Sequence, residues 1–80
     1  MSEHLKYLGR RQELRQEKKS LDFHVQALIK NLREELNPLL PVEDLRPDAV
    51  AEWSAELANA KEKYGKIVAE LKQISDIIGD

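Results

Sequence analysis

The chain has 80 residues, of which 41% are hydrophobic and 35% charged, and its formal net charge at pH 7 is −2. This length allows a single domain, 1–80, and the scarcity of Gly and Pro beside so many charges predicts long helices or a coiled coil. The absence of Cys excludes a disulfide-stapled scaffold and a thiolate metal site, and we expect a cytoplasmic protein. No stretch approaches the roughly 18 apolar residues of a membrane span, and MSEHLKYLGRR lacks the apolar core of a secretory signal.

The first predicted element is a helix over residues 2–36. One row of residues recurs every seven positions: Tyr7, Leu14, Leu21 and Leu28. A second row, offset by four, contains Arg11, Lys18, Val25 and Leu32. This spacing is typical of a helix that packs along one stripe against another helix. The second row begins with two basic residues, so the stripe is fully apolar only from Leu21 onward.

Three prolines mark the predicted turn, 37–47: Pro38, Pro41 and Pro47. A proline disfavours helical geometry in the residue before it, which ends the first helix at this point. Pro47 and Asp48 suit the first turn of a new helix, because proline lacks the amide hydrogen that is unpaired there and aspartate complements the helix dipole. We predict the second helix over residues 48–78, with Gly79 as its C-terminal stop.

The second helix carries two heptad rows without a charged residue. One row is Val50, Leu57, Tyr64, Leu71 and Ile78, and the other is Trp53, Ala60, Ile67 and Ile74. A short turn makes the two helices antiparallel neighbours, so residues whose numbers add to about 85 should face each other, such as Leu14 and Leu71. The sequence therefore predicts an all-α, antiparallel two-helix hairpin of coiled-coil type.

This hairpin leaves apolar surface to be covered. The stems of Arg11 and Lys18 should lie on the isoleucines opposite, and the turn residues Leu39, Leu40 and Leu45 should close over Trp53. Val68 and Ile77 lie outside the seam, and a row of small residues follows the outer side of the second helix. We predict that a second copy covers this surface, giving a homodimeric four-helix bundle. The candidate partner or dimer interface contains Phe23, Ala55, Ala58, Gly65, Val68, Ala69, Ile74 and Ile77.

The charges are unevenly distributed along the chain. Residues 1–20 carry six Lys or Arg against three Glu, whereas residues 31–60 carry two Arg against seven acids. This polarity favours a dimer with the turns at opposite ends, because the acidic end of one copy then meets the basic end of the other. The basic start also provides candidate nucleic-acid contacts: Lys6, Arg10, Arg11, Arg15, Lys18 and Lys19. Interleaved glutamates dilute this patch, and we expect Arg15 to lie opposite Glu70.

No catalytic constellation is recognisable in the sequence. His4 and His24 are too far apart on one helix to converge, and neither a phosphate-binding glycine loop nor a nucleophile elbow is present. Glu34 and Glu35 are interpreted as the solvated end of the first helix. We expect neither enzymatic activity nor a cofactor or metal.

The sequence therefore favours a non-catalytic protein–protein interaction module: a homodimeric adaptor, assembly factor or inhibitor that presents helix surface. One alternative is a nucleic-acid-binding bundle, and another is a subunit of a heteromeric coiled-coil complex. The predicted plan resembles that of small plasmid-encoded helical-hairpin dimers that bind paired RNA loops. This resemblance is limited to the hairpin plan and implies no shared function.

Overall fold

The computed structural model describes residues 2–79 and shows two long helices joined by a short turn. Helix α1 comprises Ser2–Glu35, helix α2 comprises Pro47–Ile78, and one turn of 3₁₀ helix, Val42–Asp44, lies between them. The two helices pack side by side in opposite directions, so the molecule is a rod of 63 × 15 × 15 Å. The predicted helical hairpin is confirmed, whereas the four-helix bundle stays a prediction, since one chain is described.

The turn begins where the sequence predicts, within one residue. After the end of α1, the Leu36 N–H still donates a hydrogen bond of 2.9 Å to the carbonyl of Leu32. The side-chain oxygen of Asn37 then accepts a 2.9 Å hydrogen bond from the Leu39 N–H. An asparagine that bonds the backbone two residues further on reverses the chain direction locally, and the prolines that follow prevent α1 from continuing.

Both ends of α2 match their predicted signals. Pro47 occupies the first helical position, where its missing N–H has no intrahelical partner to lose. At the other end, Gly79 adopts a left-handed conformation with φ 77°, and its N–H donates to the carbonyl of Ser75 at 3.0 Å. Only glycine takes this conformation without a steric cost from Cβ, so Gly79 ends the helix as predicted.

The seam predicted for α2 faces α1 along its whole length. Every residue of its two heptad rows is buried or half-buried, from Val50 to Ile78. Leu14 of α1 is completely buried against Ile67 and Ile74, and Leu71 packs on the same cluster, in agreement with the predicted pairing. The main cluster of buried residues therefore lies toward the open end of the hairpin.

The basic residues of the α1 seam are partly covered by the hairpin, although Lys18 lies over a tyrosine ring and not over an isoleucine as predicted. Arg11 and Lys18 are half-buried, and the ammonium of Lys18 lies 5.7 Å from the centre of the Tyr64 ring. A cation at this distance is attracted by the ring face while its aliphatic stem covers apolar surface. The seven-residue row of α1 then continues past Leu28 to Glu35, a carboxylate in a buried position.

Candidate functional site

The positions that flank the seam divide the hairpin surface into two edges. On one edge lie the residues that immediately precede one heptad row of each helix, the row that begins at Arg11 in α1 and the row that begins at Val50 in α2. They are Arg10, Glu17 and His24 in α1, and Glu56, Lys63, Glu70 and Ile77 in α2. We call this set the charged edge. In antiparallel helix pairs such flanking positions face each other and form interhelical ion pairs. A surface groove joins Arg10, Glu70 and Ile77, which confirms that these residues share one edge.

Arg10 and Glu70 form the interhelical ion pair of the charged edge. The Arg10 Nε donates to Glu70 Oε2 at 2.7 Å, Nη2 donates to Oε1 at 3.3 Å, and Nη1 donates to Glu13 Oε2 at 3.2 Å. The two hydrogen bonds from Arg10 lower the pKa of Glu70, and those to Glu70 and Glu13 raise the pKa of Arg10. Both side chains are part-exposed, so solvent screens the interaction.

The prediction that Arg15 lies opposite Glu70 is wrong. Arg15 follows the seam residue Leu14, whereas Glu70 precedes the seam residue Leu71, so the two lie at different edges of the interface. Arg10 precedes a seam position, as Glu70 does, and lies on the same edge. Matching axial level alone does not determine a pair, because the edge on which each residue lies must agree as well.

At the closed end, Glu35 forms a second ion pair with Arg46. Glu35 is only 8% exposed, and its Oε1 accepts the Arg46 backbone N–H at 2.8 Å and Nε at 3.2 Å, while Oε2 accepts Nη2 at 3.0 Å. The side-chain hydrogen bond from Arg46 is the main cause of a lowered pKa at Glu35. The interpretation of Glu35 as a solvated residue is therefore wrong, since it joins the end of α1 to the start of α2.

Two of the three turn leucines predicted to close over Trp53 are exposed, and only Leu40 is half-buried. Leu39 is 88% exposed and Leu45 is 40% exposed, whereas the guanidinium of Arg46 lies 5.8 Å from the centre of the Trp53 ring. The bidentate contact with Glu35 fixes Arg46 in this position, and a guanidinium packs favourably on an indole face. A charged side chain held by a buried carboxylate thus lies over the tryptophan.

The large apolar residues predicted for an interface lie on different surfaces. Phe23 is on the outer face of α1, Ile77 is on the charged edge, and Val68 is on the opposite edge, and all three are exposed. Ile74 is 4% exposed and belongs to the core of the hairpin, so it is removed from the candidate interface. One flat partner surface cannot contact Phe23, Val68 and Ile77 together, because they face different directions.

The predicted small residues do share one region of α2. Ala55, Ala58, Gly65 and Ala69 are all exposed along its outer side. A Cβ added at Gly65 would meet no atom within 4 Å, so nothing in the hairpin itself explains a glycine there. Val68 adjoins this region, since it lies three residues after Gly65.

The basic residues predicted to contact nucleic acid do not form one continuous surface. Three of them are engaged with, or partly buried by, the hairpin itself: Arg10, Arg11 and Lys18. Three others are exposed: Lys6, Arg15 and Lys19. Arg15 and Lys19 lie on the opposite edge from Arg10, so the six cations are distributed around the helix.

Sequence reasoning missed a set of exposed apolar residues outside the seam. Leu5, Ile29 and Leu36 of α1 are 61%, 37% and 56% exposed, and Val42 in the turn is 84% exposed. Ile29 and Leu36 line a shallow groove of about 400 Å³ at the closed end. Ile29 and Leu36 are seven residues apart, and each immediately follows a residue of the row that contains Leu28. The sequence therefore already indicated that these two residues share an edge.

Comparison with known proteins assigns this chain to no family. The chain matches no family model, and no curated protein or solved structure is significantly similar to it. Among residues 2–79 there is no group of three or more His, Asp or Glu side chains suited to holding a metal ion. Neither of the two described helices combines the length and the apolar character that crossing a membrane requires.

Proposed function

We propose that this protein is a non-catalytic helical interaction module that acts as a homodimer, in the manner of an adaptor, assembly factor or inhibitor. The observation that supports this function is the balance of apolar side chains between core and surface. Among the described residues, five hydrophobic side chains are buried, whereas nine large ones are exposed. A single contact between two helices leaves this surface uncovered, and association is one of the ways in which domains this small gain stability.

The energetics favour association through several of these side chains. Burying one Val, Leu or Ile is worth about 1.5–3 kcal/mol, and each copy contributes its own set. Association costs roughly 4–15 kcal/mol in lost translational and rotational freedom. The free energy gained by burying four or more exposed apolar side chains across the two copies therefore exceeds the lower part of this cost. Val68 and the small-residue region around Gly65 are the part of the predicted interface that the hairpin presents together.

Charge polarity supports a dimer with its turns at opposite ends. Residues 1–20 have an excess of three positive charges, and residues 31–60 have an excess of five negative charges. Because α1 starts at the open end and the second range surrounds the turn, a parallel arrangement would place like charges together. The opposite arrangement places basic and acidic ends side by side and gives a four-helix bundle.

Sedimentation equilibrium on the parent and on two glycine variants tests this function. We expect a dimer for the parent at tens of micromolar. Gly65→Leu should dissociate it, because a bulky side chain prevents close approach of a second helix. Gly9→Leu is the matched control, since Gly9 is also exposed within a helix and has no atom within 4 Å of an added Cβ. A monomeric parent contradicts the dimer and leaves the exposed apolar surface to a partner of different sequence.

A further inference from the structure

The edge opposite the charged edge has a symmetric pattern in α1. It consists of the residues that immediately follow the row beginning at Tyr7, together with the residues that lie three positions before each of these. In chain order these are Leu5, Leu8, Gln12, Arg15, Lys19, Asp22, Gln26, Ile29, Arg33 and Leu36. We call this set the leucine edge. Its large apolar residues lie toward both ends, and two opposite charges, Lys19 and Asp22, lie at its centre.

We propose that the homodimer forms through the leucine edge, with α1 of one copy antiparallel to α1 of the other. This inference rests on the proposed homodimer and specifies which surface forms it. A two-fold axis midway between Lys19 and Asp22 places Leu5 beside Leu36 of the partner subunit. The same operation places Lys19 beside Asp22 of the partner subunit, and each contact occurs twice. The edge is thus complementary to itself at its two ends and at its centre, whereas between them Leu8 lies beside Arg33 of the partner subunit and Gln12 beside Ile29 of the partner subunit.

The exposure of these residues agrees with an unfilled interface. Leu5 and Leu36 are more than half exposed, although they lie about 47 Å apart at 1.5 Å per residue along the helix. Lys19 and Asp22 are exposed as well, and within residues 2–79 neither forms an ion pair. The charged edge differs, because its central pair, Arg10 and Glu70, is already formed within the chain.

Helix α2 contributes to the same edge near the proposed axis. Val68 follows the seam residue Ile67, as the residues of the leucine edge follow their own seam row. Leu14 and Leu71 pack in the same cluster and the helices are antiparallel, so Gly65, six residues before Leu71, is level with Ser20, six residues after Leu14. The glycine is therefore close to the two-fold axis, where α2 meets its symmetry mate. This position accounts for a mid-helix glycine that nothing within the hairpin requires.

The register makes a specific prediction about charge. In Lys19→Asp, each new carboxylate would face Asp22 of the partner subunit, and in Asp22→Lys each new ammonium would face Lys19 of the partner subunit. Both variants should dimerise about tenfold more weakly than the parent at low salt, since each dimer loses two attractive pairs and gains two repulsive ones. Mixed together, the two variants should form a heterodimer, because both contacts are then between opposite charges.

The experiment measures dimer dissociation constants by sedimentation, and native mass spectrometry identifies the species in an equimolar mixture. Lys30→Asp is the matched control, since it makes the same charge change at an exposed position on the outer face of α1. Circular dichroism confirms that each variant is helical. We expect weakening by Lys19→Asp and Asp22→Lys, none by Lys30→Asp, and a predominance of heterodimer in the mixture.

A second comparison tests the apolar ends of the edge. Leu5→Gln should weaken the dimer, whereas Phe23→Gln should not, although the two parent side chains are almost equally exposed. A parent that dimerises but responds equally to Lys19→Asp and Lys30→Asp, with no heterodimer preference, would overturn the leucine edge and leave the homodimer standing. A parent that is monomeric would overturn both.

Discussion

Replacing Leu14 by alanine tests the packing of the hairpin most directly. Leu14 has 0% exposure and contacts Ile67 and Ile74, so its truncation leaves a cavity between the helices. Leu→Ala changes in cores cost roughly 2–5 kcal/mol, and two helices that can move together should place this one near the lower end. A chain of this length has a total stability of about 4–12 kcal/mol, so the loss is a large fraction of the whole.

Thermal denaturation followed by circular dichroism measures the effect. At about 4–8 °C per kcal/mol, Leu14→Ala should lower Tm by about 10–20 °C. Leu39→Ala is the control, because Leu39 is almost fully exposed in the turn and its truncation should change the free energy of unfolding by less than about 0.5 kcal/mol. Both variants are compared at one protein concentration, since dimerisation couples Tm to concentration. Equal melting temperatures for the two variants would refute the assignment of the core to Leu14.

Three further predictions concern the ion pairs and a glycine. The hydrogen bond from its arginine partner lowers the pKa of Glu35 from 4.5, so its stabilisation is present above pH 4.5 and is lost as pH falls through the folded pKa. The acid-induced fall in Tm should therefore be smaller in Glu35→Gln than in Glu34→Gln, and identical profiles would contradict the buried pair. Arg10→Gln should lower Tm more than Arg15→Gln, with a difference that shrinks at high salt, whereas a larger effect of Arg15→Gln would refute the observed edge. Gly65→Ala should stabilise the dilute, monomeric hairpin by about 1 kcal/mol, and a lower Tm would show that the site is not open.

The sequence was sufficient to predict the helices and the seam. The heptad rows of α2 contain only apolar residues and one tyrosine, so a single stripe could face α1, and the register followed from the short turn. The helix ends followed from Pro47 and Gly79, whose backbone preferences act locally. These features depend on spacing and local stereochemistry, both of which are readable in one chain.

The ion pairs were less predictable because they depend on side-chain direction. Counting axial level alone paired Glu70 with Arg15, although the flanking positions select Arg10. Glu35 occupies the position seven after Leu28, so its burial could have been inferred from the row. The pairing of Glu35 with Arg46 could not have been inferred, because the path of the turn determines where the Arg46 guanidinium lies.

The candidate site was predicted only in part. The sequence indicated excess apolar surface, and Val68 and Ile77 are exposed as expected. Their opposite edges were readable as well, because Val68 follows a seam residue whereas Ile77 precedes one. The sequence did not show how far Leu5 and Leu36 are exposed at the two ends of α1, since the exposure of each side chain is fixed only when the hairpin packs.

The two ends of the hairpin differ in how they should form during folding. Glu35 and Arg46 are 11 residues apart, whereas Arg10 and Glu70 are 60 residues apart. The entropy lost on closing a loop grows with its length, so contacts beside the turn form at the lowest entropic cost. The completely buried Leu14, however, lies toward the open end. Folding should thus start beside the turn and gain much of its stability only when the distant ends meet. Removal of residues at the open end should consequently accelerate unfolding much more than it slows folding.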